Sequence, residues 1–477
     1  MNLHGNAVTA LLVCLWLVYA GWLATWVILQ KKEPAATLAW VFSLVFLPFL
    51  GFFIFYLFGP RRIRRSTSRR QKSYDAIKKA FAPDQAQENA DSPHELSIQL
   101  TKLIQTATGM PLTTASSIRL LVNGSPKYDA VIEAIDAAKI HVHMEYYIYA
   151  GDRTGTLIRD ALVAAAGRGV KVRLLMDGAG SFHTGKDFLK PLEDAGAELS
   201  VFHPVLRGTP HLRPMLNFRS HRKIAVIDGR IGFTGGINVT DDENDRLNPE
   251  NYFHDLHTRV EGDVVNWMQR IFLEDWNYAS EKIPSEEGLF SKWEAGEFAV
   301  QLIPSGPDNS AEPIHRACLC AISAANNRIW LTTPYFVPTT PAVYALTSAA
   351  MRGLDVRVMI PKKSDSHLVN LAARSYFDSL LKVGVRIFEY QPRMLHSKAL
   401  IVDDAFAIVG SSNFDTRSMQ VNFEMSMAVH EKAVVQALED VWNADQAECI
   451  EATRDRPKPH FARRLGEAVA RLASPLL

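Results

Sequence analysis

HRKIAVIDGRIGFTGGIN, residues 221–238, and HSKALIVDDAFAIVGSSN, residues 396–413, are one phrase written twice. Both read His-x-Lys, four residues, Asp, six residues, Gly-(Gly/Ser)-x-Asn, with no gap between the copies. Each segment has the pattern of a strand, a tight turn and a returning strand. On a strand, positions i and i+2 face the same side, so His221 points with Lys223 and His396 with Lys398. Asp228 lies five residues past Lys223, on the opposite face and roughly 16 Å along at about 3.3 Å per residue. It opens an Asp-Gly turn. Asp228 and its counterpart Asp403 therefore belong to the motif chiefly as braces of that turn. With a two-residue turn at Gly229-Arg230, Asn238 falls opposite His221, and the equivalent turn sets Asn413 opposite His396.

The duplication extends outward. GRGVKVRLLM (167–176) matches MRGLDVRVMI (351–360), and the apolar strands HVHMEYYIY (141–149) and RIWLTTPYFV (328–337) precede them. Each is preceded in turn by a helical stretch, residues 128–138 and 311–325. Helix, strand, helix, strand indicates an α/β layer fold with parallel pairing. A period of about 180 residues is far too long for a solenoid and marks a duplicated domain. One copy supplies one histidine, so the two lobes are expected to face each other across a pseudo-twofold axis with the site at the seam.

This residue set suits a phosphodiester. One imidazole attacks phosphorus to give a phosphohistidine. The other protonates the leaving alkoxide and then deprotonates the incoming alcohol. Lysine and asparagine donate to the non-bridging oxygens. The catalytic set is His221, Lys223, Asp228, His396, Lys398 and Asp403, with Asn238 and Asn413 beside the histidines. A nucleophilic histidine needs a carboxylate to hold its tautomer, and Asp255 and Glu424 come after the two motifs in strand-like contexts. Asn217 and Arg219, with Arg222, are candidate phosphate grips. Tyr146, Tyr147, Tyr335 and Phe336 read as core, Asp241, Asp242 and Glu243 as a solvated run, and His315 and His430 as structural. No HExxH, EF-hand or paired CxxC pattern occurs, and Cys318 and Cys320 lack a matching ligand pair; neither a metal nor another cofactor is expected.

The chain has 477 residues, 47 % apolar and 22 % charged, with four cysteines and a net charge of +1. That excludes a disordered or disulfide-stapled chain and gives no global field for nucleic acid. The apolar residues are uneven. Residues 7–29 and 37–58 carry no charge, each long enough to cross a bilayer, which takes roughly 20 residues. They read as a transmembrane hairpin over 1–60. Seven basic residues lie within 61–72. By the positive-inside rule that cluster places the chain beyond Gly59 in the cytoplasm, and it should attract anionic lipids. The expected parts are a basic juxtamembrane stem (61–110), a first lobe (111–290), a second lobe (291–455) and a C-terminal amphipathic helix (456–477). In that helix Phe461, Leu465, Val469, Leu472 and Leu476 recur at helical spacing among arginines, suited either to a membrane interface or to docking on the body.

The doubled motif resembles the phospholipase D superfamily over roughly residues 110–450. The segment 33–60, NFRSHRKIAVIDG, TTPYFVP (332–338) and QPRMLHSKALIVDD running into GSSNFDTRSMQVNFEMS are similar to bacterial cardiolipin synthases. His254 beside Asp255 departs from that pattern. The resemblance implies two phospholipase D-like α/β/α lobes and transfer of a phosphatidyl group from one phosphatidylglycerol to another, giving cardiolipin and glycerol at a bacterial inner membrane. It leans to His221 as nucleophile and leaves a homo-oligomer open. A phospholipase D or nuclease using water as acceptor shares the motif, although membrane spans argue against a nuclease. A non-catalytic scaffold would not need all four His and Lys positions intact.

Overall fold

The computed structural model describes residues 3–29, 34–47, 51, 64–80, 95–205, 217–455 and 460–474. The chain divides into two compact units, Met1–Ile63 with Leu206–Asn217, and Arg64–Val205 with Phe218–Leu477. In the first, α1 (Leu3–Ile28) and α2 (Pro34–Phe46) pack through Leu23, Val27 and Leu44. Thr9–Ile28 is long and apolar enough to cross a membrane, and Leu11, Val18 and Trp22 stand exposed on it, as lipid-facing residues do. The second expected span is helical from Pro34 to Phe46, and its remainder falls mostly outside the described residues.

The second unit begins with α3 (Arg64–Ala80), α4 (Glu95–Thr108) and β1 (Thr113–Ala115). Then come β2 (Ser117–Val122), α5 (Gly124–Ala137), β3 (His141–Tyr146), α6 (Arg153–Gly167), β4 (Lys171–Asp177), α7 (Lys186–Asp194), β5 (Glu198–Phe202), β6 (Ile224–Ile227), β7 (Ile231–Gly235), β8 (Leu256–Glu261) and α8 (Val264–Ser280). The second copy comprises β9 (Phe298–Ser305), α9 (Pro313–Ala324), β10 (Arg328–Thr332), α10 (Thr340–Met351), β11 (Asp355–Pro361), α11 (His367–Arg374), α12 (Phe377–Lys382), β12 (Arg386–Tyr390), β13 (Ala399–Val402), β14 (Phe406–Gly410), α13 (Thr416–Gln420), β15 (Glu424–Val429), α14 (Lys432–Ala447) and β16 (Cys449–Ala452). Helix α15 (Phe461–Leu472) closes the described chain.

The strand order β2-β8-β7-β6-β3-β4-β5 of the first sheet repeats as β9-β15-β14-β13-β10-β11-β12 in the second. Within each, β3–β4–β5 and β10–β11–β12 are parallel and the hairpin strands antiparallel. Helices α5 and α6 cover the outer face of the first sheet around Val142, Met144, Leu174 and Phe233. Helices α9 and α10 do the same for the second around Ile329, Val358 and Leu400. Between the sheets α8 and α14 each touch strands of both. One shared apolar core there joins Ile224, Val226 and Leu256 of the first lobe to Ile401, Met425 and Met427 of the second. The strands read near-continuously apolar because both faces are covered.

Three expectations need correction. The hairpin turns hold three residues: Ile227 pairs with Ile231 and Val402 with Phe406. Asp228 and Asp403 take φ of +53° and +54°, a left-handed conformation that aspartate tolerates better than most residues. The register therefore shifts by one, and the asparagines are not directly opposite the histidines. Second, β1, placed with the first lobe by sequence, pairs antiparallel with β9 of the second. Third, the basic stem does not leave all its charge for lipid, since α3 packs against α8. Arg70 is buried, pairs with Asp275 and Asp308, and stacks over Phe423 at 4.8 Å. Its charge binds the body and is not available to a lipid headgroup. Replacing Arg70 with Ala should cost about 3 kcal/mol, because Asp275 loses one of its buried partners. A thermal melt of the detergent-solubilised chain checks this, and an unchanged midpoint would refute it.

Candidate active site

The ladders of both hairpins end at Ile224–Thr234 and Ala399–Val409. The His-x-Lys segments run past those ends and meet the opposite lobe. Ser220 bridges Phe423, and His254 bridges Leu395. The His221 N–H donates to the Phe423 carbonyl at 2.8 Å, and the His396 N–H to the His254 carbonyl at 2.7 Å. Each motif histidine is thus stitched by its own backbone to the other copy.

The side chains repeat the exchange. His221 Nδ1 lies 3.0 Å from both carboxylate oxygens of Glu424, which opens β15 in the second lobe. His396 Nδ1 lies 2.6 Å from Asp255 Oδ2, just before β8 in the first. Asp255 and Glu424 are fully buried. Burial alone would raise a carboxylate's pKa. Against burial, Lys398 and His396 bring Asp255 down to about 2, and His221, Lys223 and Ser411 hold Glu424 below the usual range. Both carboxylates are therefore ionised acceptors; Glu424 fixes His221 with the proton on Nδ1, while His396 Nδ1 lies between Asp255 and the Lys398 ammonium, 3.0 Å away. Burial pushes His221 down to about 4, with Glu424 opposing and Lys223 and Lys398 adding to the shift. At neutral pH its Nε2 carries a free electron pair.

Lys223 and Lys398 each donate to the carbonyl of their own motif histidine, and Lys398 also reaches Asp255 at 3.4 Å. Burial first, then Lys398, takes Lys223 down to about 7 against Glu424, Glu243 and Asp255. The asparagines differ. Asn238 donates to Glu243 at 2.6 Å and accepts from the Ile148 N–H at 3.1 Å. Asn413 is buried with its Oδ1 unpartnered among the described residues.

The family model described as "Cardiolipin synthase, PLD-like domain" matches residues 131–276 and 318–445, and one described as "Phospholipase_D-nuclease N-terminal" matches 20–60. The chain belongs to the cardiolipin synthase family. It is 35 % identical over 464 residues to Cardiolipin synthase 1 of Bacillus cereus, covering 94 % of this chain and 91 % of that protein. It is 37 % identical over 462 residues to Cardiolipin synthase 2 of Bacillus anthracis, covering 94 % and 88 %. In fold it is similar to the phosphatidylserine synthase of Haemophilus influenzae Rd KW20, with a TM-score of 0.60 at 13 % identity over 80 % of this chain and 100 % of that one. As a member of the cardiolipin synthase family the chain is a membrane-associated phosphatidyltransferase.

Other residues of this cardiolipin synthase-type site are held in structural contacts. Asp228 sits at the far end of its hairpin and accepts the N–H groups of Lys139, Ile140 and His141 at 2.8, 2.8 and 2.9 Å. Asp403 accepts those of Asn326, Asn327 and Arg328 at 3.0, 2.8 and 3.0 Å. Both tie the hairpin to the start of the neighbouring strand, the bracing role that the turn spacing implies. Arg219 is buried, donates to the His203 carbonyl at 2.8 Å and faces Asp177 at 3.6 Å. Arg222 pairs with Asp275 and donates to the Glu424 carbonyl at 3.1 Å. Arg222 braces the seam, Arg219 is held within the first lobe, and Asn217 lies in the other unit. His254, the departure beside Asp255, bonds Asp445 at 2.8 Å and stacks on Tyr390.

Sequence reading misses five contributors. Tyr147 meets His221 edge-on at 5.1 Å, and Tyr335 and Phe253 lie 6.2 and 5.6 Å from His396. Glu243, solvated by its sequence context, is 2 % exposed and holds Asn238. Glu243, Asp255 and His396 bring one donor atom each within 4.8 Å of one another. Both Glu243 oxygens already serve Asn238, and the Asp255 oxygens serve Leu256 and His396, so a cation would compete with these contacts. Lys127 is fully buried and donates to the Asn238 carbonyl at 3.2 Å; burial takes it down to about 7, against Glu243.

The Gly/Ser alternation in the motif also has a physical reading. Ser411 donates to Glu424. At the matching Gly236 an added Cβ would come within 2.3 Å of both Asp255 carboxylate oxygens. Gly236→Ala should therefore displace Asp255, lower kcat by about 100-fold, the usual effect of an ångström-scale misplacement, and lower the melting temperature as a buried ion pair is disturbed. Steady-state kinetics and a melt decide; full activity would refute the contact. For pH, a His221 pKa near 4 puts the acid limb of kcat/KM near pH 4. A limb at the ordinary 6.5 would contradict the burial argument.

Proposed function

We propose that this site joins two phosphatidylglycerol molecules by a two-step displacement. His221 Nε2 attacks the donor phosphorus. The phosphorus–oxygen bond to the glycerol headgroup breaks, and the departing alkoxide takes the proton from His396 Nε2. A hydroxyl of the second phosphatidylglycerol then gives its proton to His396, its oxygen attacks phosphorus, and the phosphorus–nitrogen bond breaks. Cardiolipin and glycerol leave and His221 is restored. One phosphodiester replaces another, so no energy source is required.

The observation that carries this reading is the pairing of each motif histidine with a buried carboxylate of the other lobe. His221 has a strongly depressed pKa and a carboxylate shared with Ser411, which suits a neutral nucleophile. His396 has a 2.6 Å bond to Asp255, the carboxylate partner that orients an acid–base imidazole. Lys223 and Lys398 supply the positive charge that the phosphoryl oxygens need. The apolar N-terminal segments and the arginines after them support a multi-pass bacterial inner-membrane protein with its body in the cytoplasm.

Purified enzyme given phosphatidylglycerol should yield cardiolipin and glycerol in equal amounts. Phosphatidic acid alone would assign water as acceptor and refute the transfer. His221→Ala and His396→Ala should each lose at least about 1000-fold in turnover, since the two imidazoles act as a unit. Only the His396 variant should retain a labelled phosphatidyl group on the protein.

A further inference from the structure

Helix α15 is amphipathic in the sense opposite to an ordinary surface helix. Glu467 and Ala470 face the body and are buried. Phe461, Leu465, Val469 and Leu472 are 79, 53, 56 and 81 % exposed. At 3.6 residues per turn these four form one stripe, and it points away from the protein. Arg464 and Arg471 lie together along one edge of the stripe, and both are exposed. The helix's single acidic residue, Glu467, is turned inward and pairs with Arg463 at 3.3 Å.

The inward side leads to the reaction centre. Ala470 packs in one cluster with Val337, Val369 and Ala372, against which Tyr335 rests. Tyr335 is the ring 6.2 Å from His396 and donates to Asp365. Arg471 lies over Tyr376 at 4.5 Å, and Tyr376 meets Phe336 edge-on. The helix is thus fixed to the segment that flanks the second histidine.

We propose that α15 lies in the surface of an anionic bilayer and sets the second lobe's side of the active site against it. An apolar stripe edged by arginines matches acyl chains below anionic headgroups. A second copy of the chain would bring the same arginines against these and is disfavoured by repulsion. The lipid contact is distinct from the chemistry, because the rings described beside His221 and His396 are Tyr147, Phe253 and Tyr335 and none belongs to the stripe.

The test uses the full chain carrying Leu465→Cys, reconstituted in vesicles of phosphatidylcholine alone or with phosphatidylglycerol. A charged, water-soluble maleimide is added, and the labelling rate at position 465 is read by peptide mass spectrometry against an exposed control, Glu133→Cys. Position 465 should label at least about tenfold more slowly in the anionic vesicles, as burial of a leucine-sized group implies. Adding Arg464→Glu with Arg471→Glu should restore the rate. Equal rates at 465 and 133 in anionic vesicles would overturn the proposal. So would protection that tracks protein density and ignores lipid charge, which would mean self-association. A second readout rests on the transferase reading. Leu465→Glu with Val469→Glu should raise the apparent KM for vesicle lipid about tenfold and leave turnover of dispersed short-chain phosphatidylglycerol unchanged. Loss with both substrates would make the helix merely structural and overturn the proposal. A wild-type chain inactive on both would sink the transferase reading alone, leaving the labelling result intact.

Discussion

Two carboxylate–imidazole pairs, each spanning the seam, are the constraint on which the site depends. Glu424 of the second lobe holds His221 of the first, and Asp255 of the first holds His396 of the second. Four buried ionisable groups cost too much to hide singly. Paired reciprocally, with Lys223 and Lys398 beside them, they neutralise one another and orient both imidazoles. Neither lobe can orient its own histidine. The duplication therefore makes one site shared by two lobes, and the backbone bridges at Phe423 and His254 keep those lobes in register.

Packing serves the same end. The shared core between the sheets aligns the hairpins end to end, and Arg70, Arg222 and Asp275 form a buried ion cluster beneath Glu424. The turn aspartates act at the opposite end of each hairpin, where three backbone N–H groups converge on one carboxylate. A motif residue can thus be essential to strand placement without entering the reaction, and Asp228 and Asp403 are of that kind.

Much of this is legible in the residues. Strand periodicity puts His221 with Lys223 and His396 with Lys398, and the repeat of helix and strand implies parallel pairing in two lobes. The need for a carboxylate singles out Asp255 and Glu424. The crossing of those carboxylates is not legible, because sequence order carries no information about which lobe a side chain enters. The one-residue register error at Asn238 comes from reading Asp-Gly as a two-residue turn, when Asp228 itself takes the left-handed conformation. Glu243 is hidden inside an acidic run whose neighbour Asp241 is indeed partly solvated and pairs with Arg153. Tyr147 and Tyr335 read as core because an aromatic in an apolar strand usually is, and only the strand ends at Tyr146 and Thr332 turn them toward the histidines.

If both imidazoles at one phosphorus belong to a single chain, each oriented by the other lobe, two half-disabled chains cannot rescue each other. Co-reconstitution of His221→Ala chains with His396→Ala chains in the same vesicles examines this directly. The mixture should stay as inactive as either variant alone. Cardiolipin formation recovering toward a quarter or more of the wild-type rate would place the two histidines on different chains and refute the shared single-chain site.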